Sequence, residues 1–133
     1  MTAEEFEERL HKSKEQTEAL VQRMLLAPLD YDAMYPLIRA YVCQKFWLFD
    51  GEEETDVIEE LADISTERIA ELKEGGLVLL ERSGTCSSVT SAVTKKTLLL
   101  MALQKSLGIL IEHPAAKITT LGELTYAVLE GLE

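Results

Sequence analysis

Apolar residues recur at helical spacing along most of the chain, and the breaks fall at proline, glycine and short acidic runs. Phe6, Leu10, Ser13, Thr17, Leu20 and Met24 follow one another at steps of three or four, which places them on one helical face. That stripe predicts a helix over 3–27, polar at its centre. Pro28 ends it, because proline has no N–H to continue the ladder. Three imperfect heptads are too few for a coiled coil, so this helix is expected to lean on a bundle as an appendage. The chain divides on this reading into an appended helix, 1–28, and a helical bundle, 29–133.

A second helix is expected over 32–49, capped by Asp32 with Pro36 in its first turn. Met34, Leu37, Ile38, Tyr41, Val42, Leu48 and Phe49 form its apolar stripe, widened by Phe46 and Trp47, and Asp50-Gly51 breaks it. Thr55 to Asp63 and Thr66 to Lys73 read as two short helices, with Ser65 capping the second and Gly75-Gly76 ending it. Leu77 to Leu80 is a short apolar run, a strand or a buried turn. Residues 83–91 read as a polar loop or a helix N-terminus. Residues 92–107 make a strongly apolar helix, with Leu99, Leu100, Leu103 and Leu107 on one side and Leu98 and Met101 broadening it. Thr120-Leu121-Gly122-Glu123 matches a capping box and opens a last helix over 120–131. An all-α fold follows, with Leu100, Leu103, Leu124 and Val128 in its core.

Composition narrows the class. The chain has 133 residues, 47% of them apolar, so a packed domain is expected. Two cysteines, Cys43 and Cys86, exclude a disulfide framework. The first ten residues are charged rather than apolar, unlike a secretory leader, and no apolar run is long enough to span a bilayer. A cytoplasmic protein without membrane partners is the expectation. The net charge of −11 lies entirely in residues 1–74, while 75–133 balance to zero. Such a charge repels phosphate backbones, so no nucleic-acid partner is expected.

LLLMALQKSLGILIEHPAAKITTLGELTYAVLEGL, residues 98–132, resembles the second half of an acyl carrier protein. In that family a helix ends in a phrase like ALEEEFGI. A short loop with Pro and Ala follows, then ITT and a final amphipathic helix. Here the pieces are Ala102 to Ile109, Glu112 to Ala116, and Ile118-Thr119-Thr120 running into Leu121 to Leu132. Residues 32–49 are then similar to the family's first helix, and 50–90 form an enlarged first loop. The resemblance implies an acyl-carrier-like helical bundle with an extra N-terminal helix. It implies a bacterial, non-catalytic protein of biosynthesis that works by protein–protein interaction with biosynthetic or modifying enzymes.

The family's cofactor is 4′-phosphopantetheine, attached to the serine of a Gly-x-Asp-Ser-Leu motif at a helix N-terminus. Counting back without gaps from Gly108 puts Val93 at the serine position and Ala92 at the aspartate position, and that register carries no hydroxyl. Gly84-Thr85-Cys86-Ser87 keeps the Gly and the Ser, with Cys86 in place of Asp. Ser87 is therefore the attachment candidate, followed by Ser88 and Ser91. The same residues also read simply as a polar loop and helix cap. Family members present acids along this helix to basic enzyme patches. Here no acid occurs between Arg82 and Ile111. Lys95 and Lys96 are expected to dock acidic or apolar partners, while Glu52, Glu53, Glu54 and Asp56 meet basic ones.

The alternative reading is a winged-helix, transcription-related DNA-binding protein. In it Glu60-Leu61-Ala62 is followed by a turn, a second helix (TERIAELK), an apolar strand and a Ser-Gly turn. That second helix mixes Arg68 and Lys73 with Glu67, Glu71 and the nearby Glu74, whereas DNA readout wants a basic face. The acids from Asp50 to Asp56 lack the glycine placement of an EF-hand, so no metal is expected. His11 and His113 have no acid or cysteine at ligand spacing. No nucleophile elbow or phosphate loop occurs, which argues against an enzyme.

Overall fold

A computed structural model of the chain describes residues 3–46, 48, 55–70 and 92–133. These residues are mostly helical. In chain order they form α1 (Ala3–Leu26), α2 (Tyr31–Lys45), α3 (Ile58–Ala70), α4 (Ala92–Leu107), a 3-10 turn at Ala115–Lys117, and α5 (Leu121–Leu132). The β pairing among the described residues is one isolated antiparallel bridge between Val57 and Thr120.

The residues 27–30 fold α1 back onto α2. Leu20, Val21 and Met24 of α1 share one core with Met34, Leu37, Ile38, Tyr41 and Val42 of α2. Burying one such side chain removes it from water at a gain of roughly 1.5–3 kcal/mol. The polar centre of the α1 stripe is buried as well. Ser13 Oγ donates to the Gln44 carbonyl (3.4 Å) and Thr17 Oγ1 to the Lys14 carbonyl (2.9 Å), so both hydroxyls are satisfied.

Two details of α2 differ from the expectation. Its N-cap is Asp30, whose carboxylate accepts from the Ala33 N–H at 2.9 Å; Asp32 lies inside the first turn. Pro36 consequently falls in the second turn, on an exposed position where the helix continues past it. The helix also stops at Lys45 rather than at 49. Phe46 leaves the helical conformation, and the Leu48 N–H turns back to the Cys43 carbonyl at 2.8 Å, which buries both Phe46 and Leu48. Trp47 and Phe49 lie outside the described residues.

α3 corrects the expectation of two short helices. It runs without a break through Ser65. Ser65 caps nothing: it is wholly buried and its hydroxyl faces α4. A serine that finds a tertiary partner does not compete with the helical backbone, so the break that its type suggests does not form.

α4 follows its apolar pattern from Ala92 to Leu107. Gly108, at φ 68°, supplies the left-handed residue that ends it. The Ile109 N–H returns to the Gln104 carbonyl (3.1 Å), as in a Schellman closure, and the Gln104 side chain accepts the Ile111 N–H (2.8 Å). α5 starts at the capping residue Thr120, whose hydroxyl accepts the Glu123 N–H at 3.1 Å. Glu123 does not reach back to a backbone N–H; its carboxylate accepts from the Thr120 hydroxyl at 3.3 Å. Leu100, Leu103, Leu124 and Val128 are all buried.

Candidate functional site

Two places carry the residues that the sequence marks for docking, and each is built differently from the expectation. The first is α4. Its inward positions are Lys95, Lys96, Leu99, Leu100, Leu103 and Leu107. Lys95 is 0% exposed and Lys96 3%, so neither belongs to an outward cationic face. The Lys95 Nζ donates to Ser65 Oγ at 3.1 Å, and the Lys96 Nζ pairs with Glu59 Oε1 at 3.4 Å. Both lysines thus join α4 to α3. The spacing carried the clue: Lys95 and Lys96 precede Leu99 and Leu100 by four residues, hence share their side of the helix. The long apolar stems fill the interface and the ammonium heads find oxygen on α3.

The outward face of α4 is left to Val93, Thr94, Thr97, Leu98, Met101 and Lys105, all exposed. Thr97 turns its hydroxyl onto the Val93 carbonyl at 3.0 Å. The face is apolar with small hydroxyls, and its single charge lies in the last turn.

The second place surrounds Asp56, expected to be a free acid of a docking loop. It is a junction instead. The Asp56 carbonyl accepts the Leu121 N–H (2.8 Å) and its Oδ2 accepts the Gly122 N–H (3.3 Å), both at the start of α5. A carboxylate there satisfies orphan amides and complements the helix dipole. From α2, the Tyr35 hydroxyl donates to Asp56 Oδ1, and Arg39 lies 3.8 Å from the same oxygen. Arg39 also donates to Tyr35 Oη and to the Thr55 carbonyl, each at 3.3 Å. The chain before α3 is therefore tied to both α2 and α5.

Tyr31 stacks on Tyr35 with ring centroids 5.4 Å apart, and Tyr126 of α5 tilts against Tyr31 at 4.9 Å. The first turns of α2 are thus held against α5 at Gly122 and Tyr126. A Cβ on Gly122 would come within 3.0 Å of the Tyr31 hydroxyl, so glycine permits this close approach. Burial, followed by the Asp56 charge, pushes the Tyr31 hydroxyl above its ordinary pKa. Burial and the hydrogen bond to Asp56 push Tyr35 up, against an opposing pull from Arg39.

Ser87, Ser88, Ser91, Glu52, Glu53, Glu54 and the Leu77–Leu80 run lie outside the described residues. Among the described residues no three His, Cys, Asp or Glu side chains gather as a metal site, and no helix is long and apolar enough to cross a membrane. Contrary to the expectation of no acid at such spacing, His11 pairs with Glu15 four residues on; His113 pairs with Glu130, both pairs lie on the surface, and Cys43 is buried. No protein-family model matches the chain, no curated protein matches it, and no solved structure matches its fold.

Proposed function

We propose that the protein is a non-catalytic, acyl-carrier-related helical protein that docks onto biosynthetic or modifying enzymes through the outward face of α4. The observation that carries this reading is the exposed stripe of Val93, Leu98 and Met101 on a helix whose lysines all but Lys105 are turned inward. The order α2, α3, α4, one-turn helix, α5, with α3 falling in the enlarged first loop and Leu100, Leu103, Leu124 and Val128 in one core, supports a carrier-like bundle. The partner then reads this helix through apolar complementarity, and electrostatic steering contributes little at this face. The acidic residues 52–54 remain the candidates for meeting a basic partner.

Whether the protein also carries a group rests on Ser87. Incubation with a phosphopantetheinyl transferase and coenzyme A, read by intact mass, separates the two versions. A mass increase lost in Ser87→Ala makes the protein a carrier. An unchanged mass, with partner association weakened by Val93→Asp and Met101→Asp, makes it a docking protein. Association that ignores both substitutions overturns the reading.

The winged-helix alternative gains nothing from the described residues. It needs a turn between two helices near Ser65, and α3 passes through that position unbroken.

A further inference from the structure

A second group of exposed apolar side chains lies where α1 passes into α2, independent of the carrier reading. Leu26, the last residue of α1, is 85% exposed; Leu25 and Leu29 are 45% and 52% exposed, and Tyr126 is 59%. The leucines belong to the connection between α1 and α2, and Leu29 precedes Tyr31 by two residues. Tyr31 in turn touches Tyr126 of α5. Large apolar side chains scattered singly on a surface need no explanation, but a cluster does. Tyr126 is moreover held against Tyr31, so its ring is presented rigidly and costs little entropy to engage.

The charges around the patch discriminate among occupants. Asp30 and Asp32 are exposed within it, and Arg23, one turn before Ala27, is the exposed base nearest in sequence. An anionic bilayer would be repelled by this rim and by the −11 net charge. A second copy would bring the same acids and the same net charge against themselves. A partner segment with apolar residues on one helical face and Lys or Arg beside them satisfies both features. Its apolar residues cover Leu26 and Leu29, and its cations meet Asp32 and the face of the Tyr126 ring. We propose that this patch docks a cationic amphipathic helix of another protein.

The test uses the full chain and two synthetic helical peptides of identical leucine spacing, one with Lys and one with Glu on the polar face. Binding is followed by titration calorimetry and by amide shift mapping. The Lys peptide should bind, with shifts centred on residues 25–32 and 126. Leu26→Ser with Leu29→Ser should weaken it about tenfold or more, since two exposed anchors are lost and the core is untouched. Asp32→Asn should weaken it more than Glu8→Gln, which removes an equal charge from the distant start of α1. Four results overturn the proposal: equal binding of both peptides, indifference to the leucine substitutions, equal effects of Asp32→Asn and Glu8→Gln, and a wild-type dimer in sedimentation that the leucine substitutions dissolve. The last would assign the patch to a second copy.

Discussion

Lys95 and Ser65 meet inside the protein, with the ammonium nitrogen 3.1 Å from the hydroxyl oxygen and both residues wholly buried. A buried ammonium is costly to desolvate and depends on every oxygen it reaches. Ser65→Ala removes one of those oxygens and should cost about 1–3 kcal/mol in urea unfolding. Lys95→Met keeps the apolar volume and deletes the charge, so it should cost less than Lys95→Ala. The double variant Ser65→Ala with Lys95→Met should lose less than the two single effects together. Strict additivity would mean that the pair does not interact.

The Asp56 junction makes a separate prediction. Tyr35→Phe deletes one donor to the carboxylate and should cost about 1 kcal/mol. Asp56→Asn keeps the shape but weakens the attraction to Arg39 and to the α5 N-terminus. It should cost about 1–2 kcal/mol, discounted because the Arg39–Asp56 pair is partly solvated. Added salt should shrink the Asp56→Asn effect and leave that of Tyr35→Phe nearly unchanged.

Alkaline pH should destabilise the fold through the same tyrosines. Tyr31 and Tyr35 ionise at higher pH in the folded chain than the ordinary 10.0 of an unfolded one. The folded state therefore holds more protons in that window, and stability falls as pH rises. Their contribution is complete below pH 10 and is lost as pH climbs from there through the folded values. Absorbance titration near 295 nm should show late-ionising tyrosines. Tyr31→Phe with Tyr35→Phe should flatten the fall in stability above pH 10. An equal fall in wild type and variant would refute the assignment.

The two sides of α4 should respond unequally to truncation. Leu103 is 0% exposed, and Leu103→Ala should cost about 2–5 kcal/mol through lost burial and a residual cavity. Leu98 is 40% exposed, and Leu98→Ala should cost under about 1 kcal/mol. Comparable losses at both positions would mean that the outward face is covered.

Gly108 ends α4 at φ 68°, where a Cβ is strained although the space around it is open. Gly108→Ala should lower stability by about 1 kcal/mol from backbone strain alone. Gly108→Asn should recover part of it, because asparagine tolerates the left-handed region.

α1, α4 and α5 are legible from periodicity because each has a helical stripe and one local boundary signal: Pro28 after α1, Gly108 after α4, and the Thr120 cap before α5. The capping of α5 needs only residues within one turn, so the sequence pattern contains it. Ser65, Lys95 and Asp56 were misread for one shared reason. Each is a polar residue whose partner lies far along the chain, 30 residues between Ser65 and Lys95 and 66 between Asp56 and Gly122. Residue type then points to solvent or to a local cap, and the actual partner comes from tertiary packing. Lys95 and Lys96 were nevertheless readable from their register with Leu99 and Leu100. Asp56 offered no comparable spacing.

The Asp56–Gly122 hydrogen bond also orders events in time. The α1–α2 hairpin closes over the short connection 27–30, a fast and inexpensive loop. The clasp on α5 must instead close across 66 residues, and each doubling of a loop adds about 0.6 kcal/mol of closure entropy. Arg39 and Tyr35 can gather Asp56 onto α2 before α5 arrives, leaving the carboxylate waiting for the amides of Leu121 and Gly122. On this closure argument α5 is expected to seat last and to lift away first. Amide exchange at Leu121 and Gly122 becomes the clock for that opening, running ahead of exchange in the middle of α2.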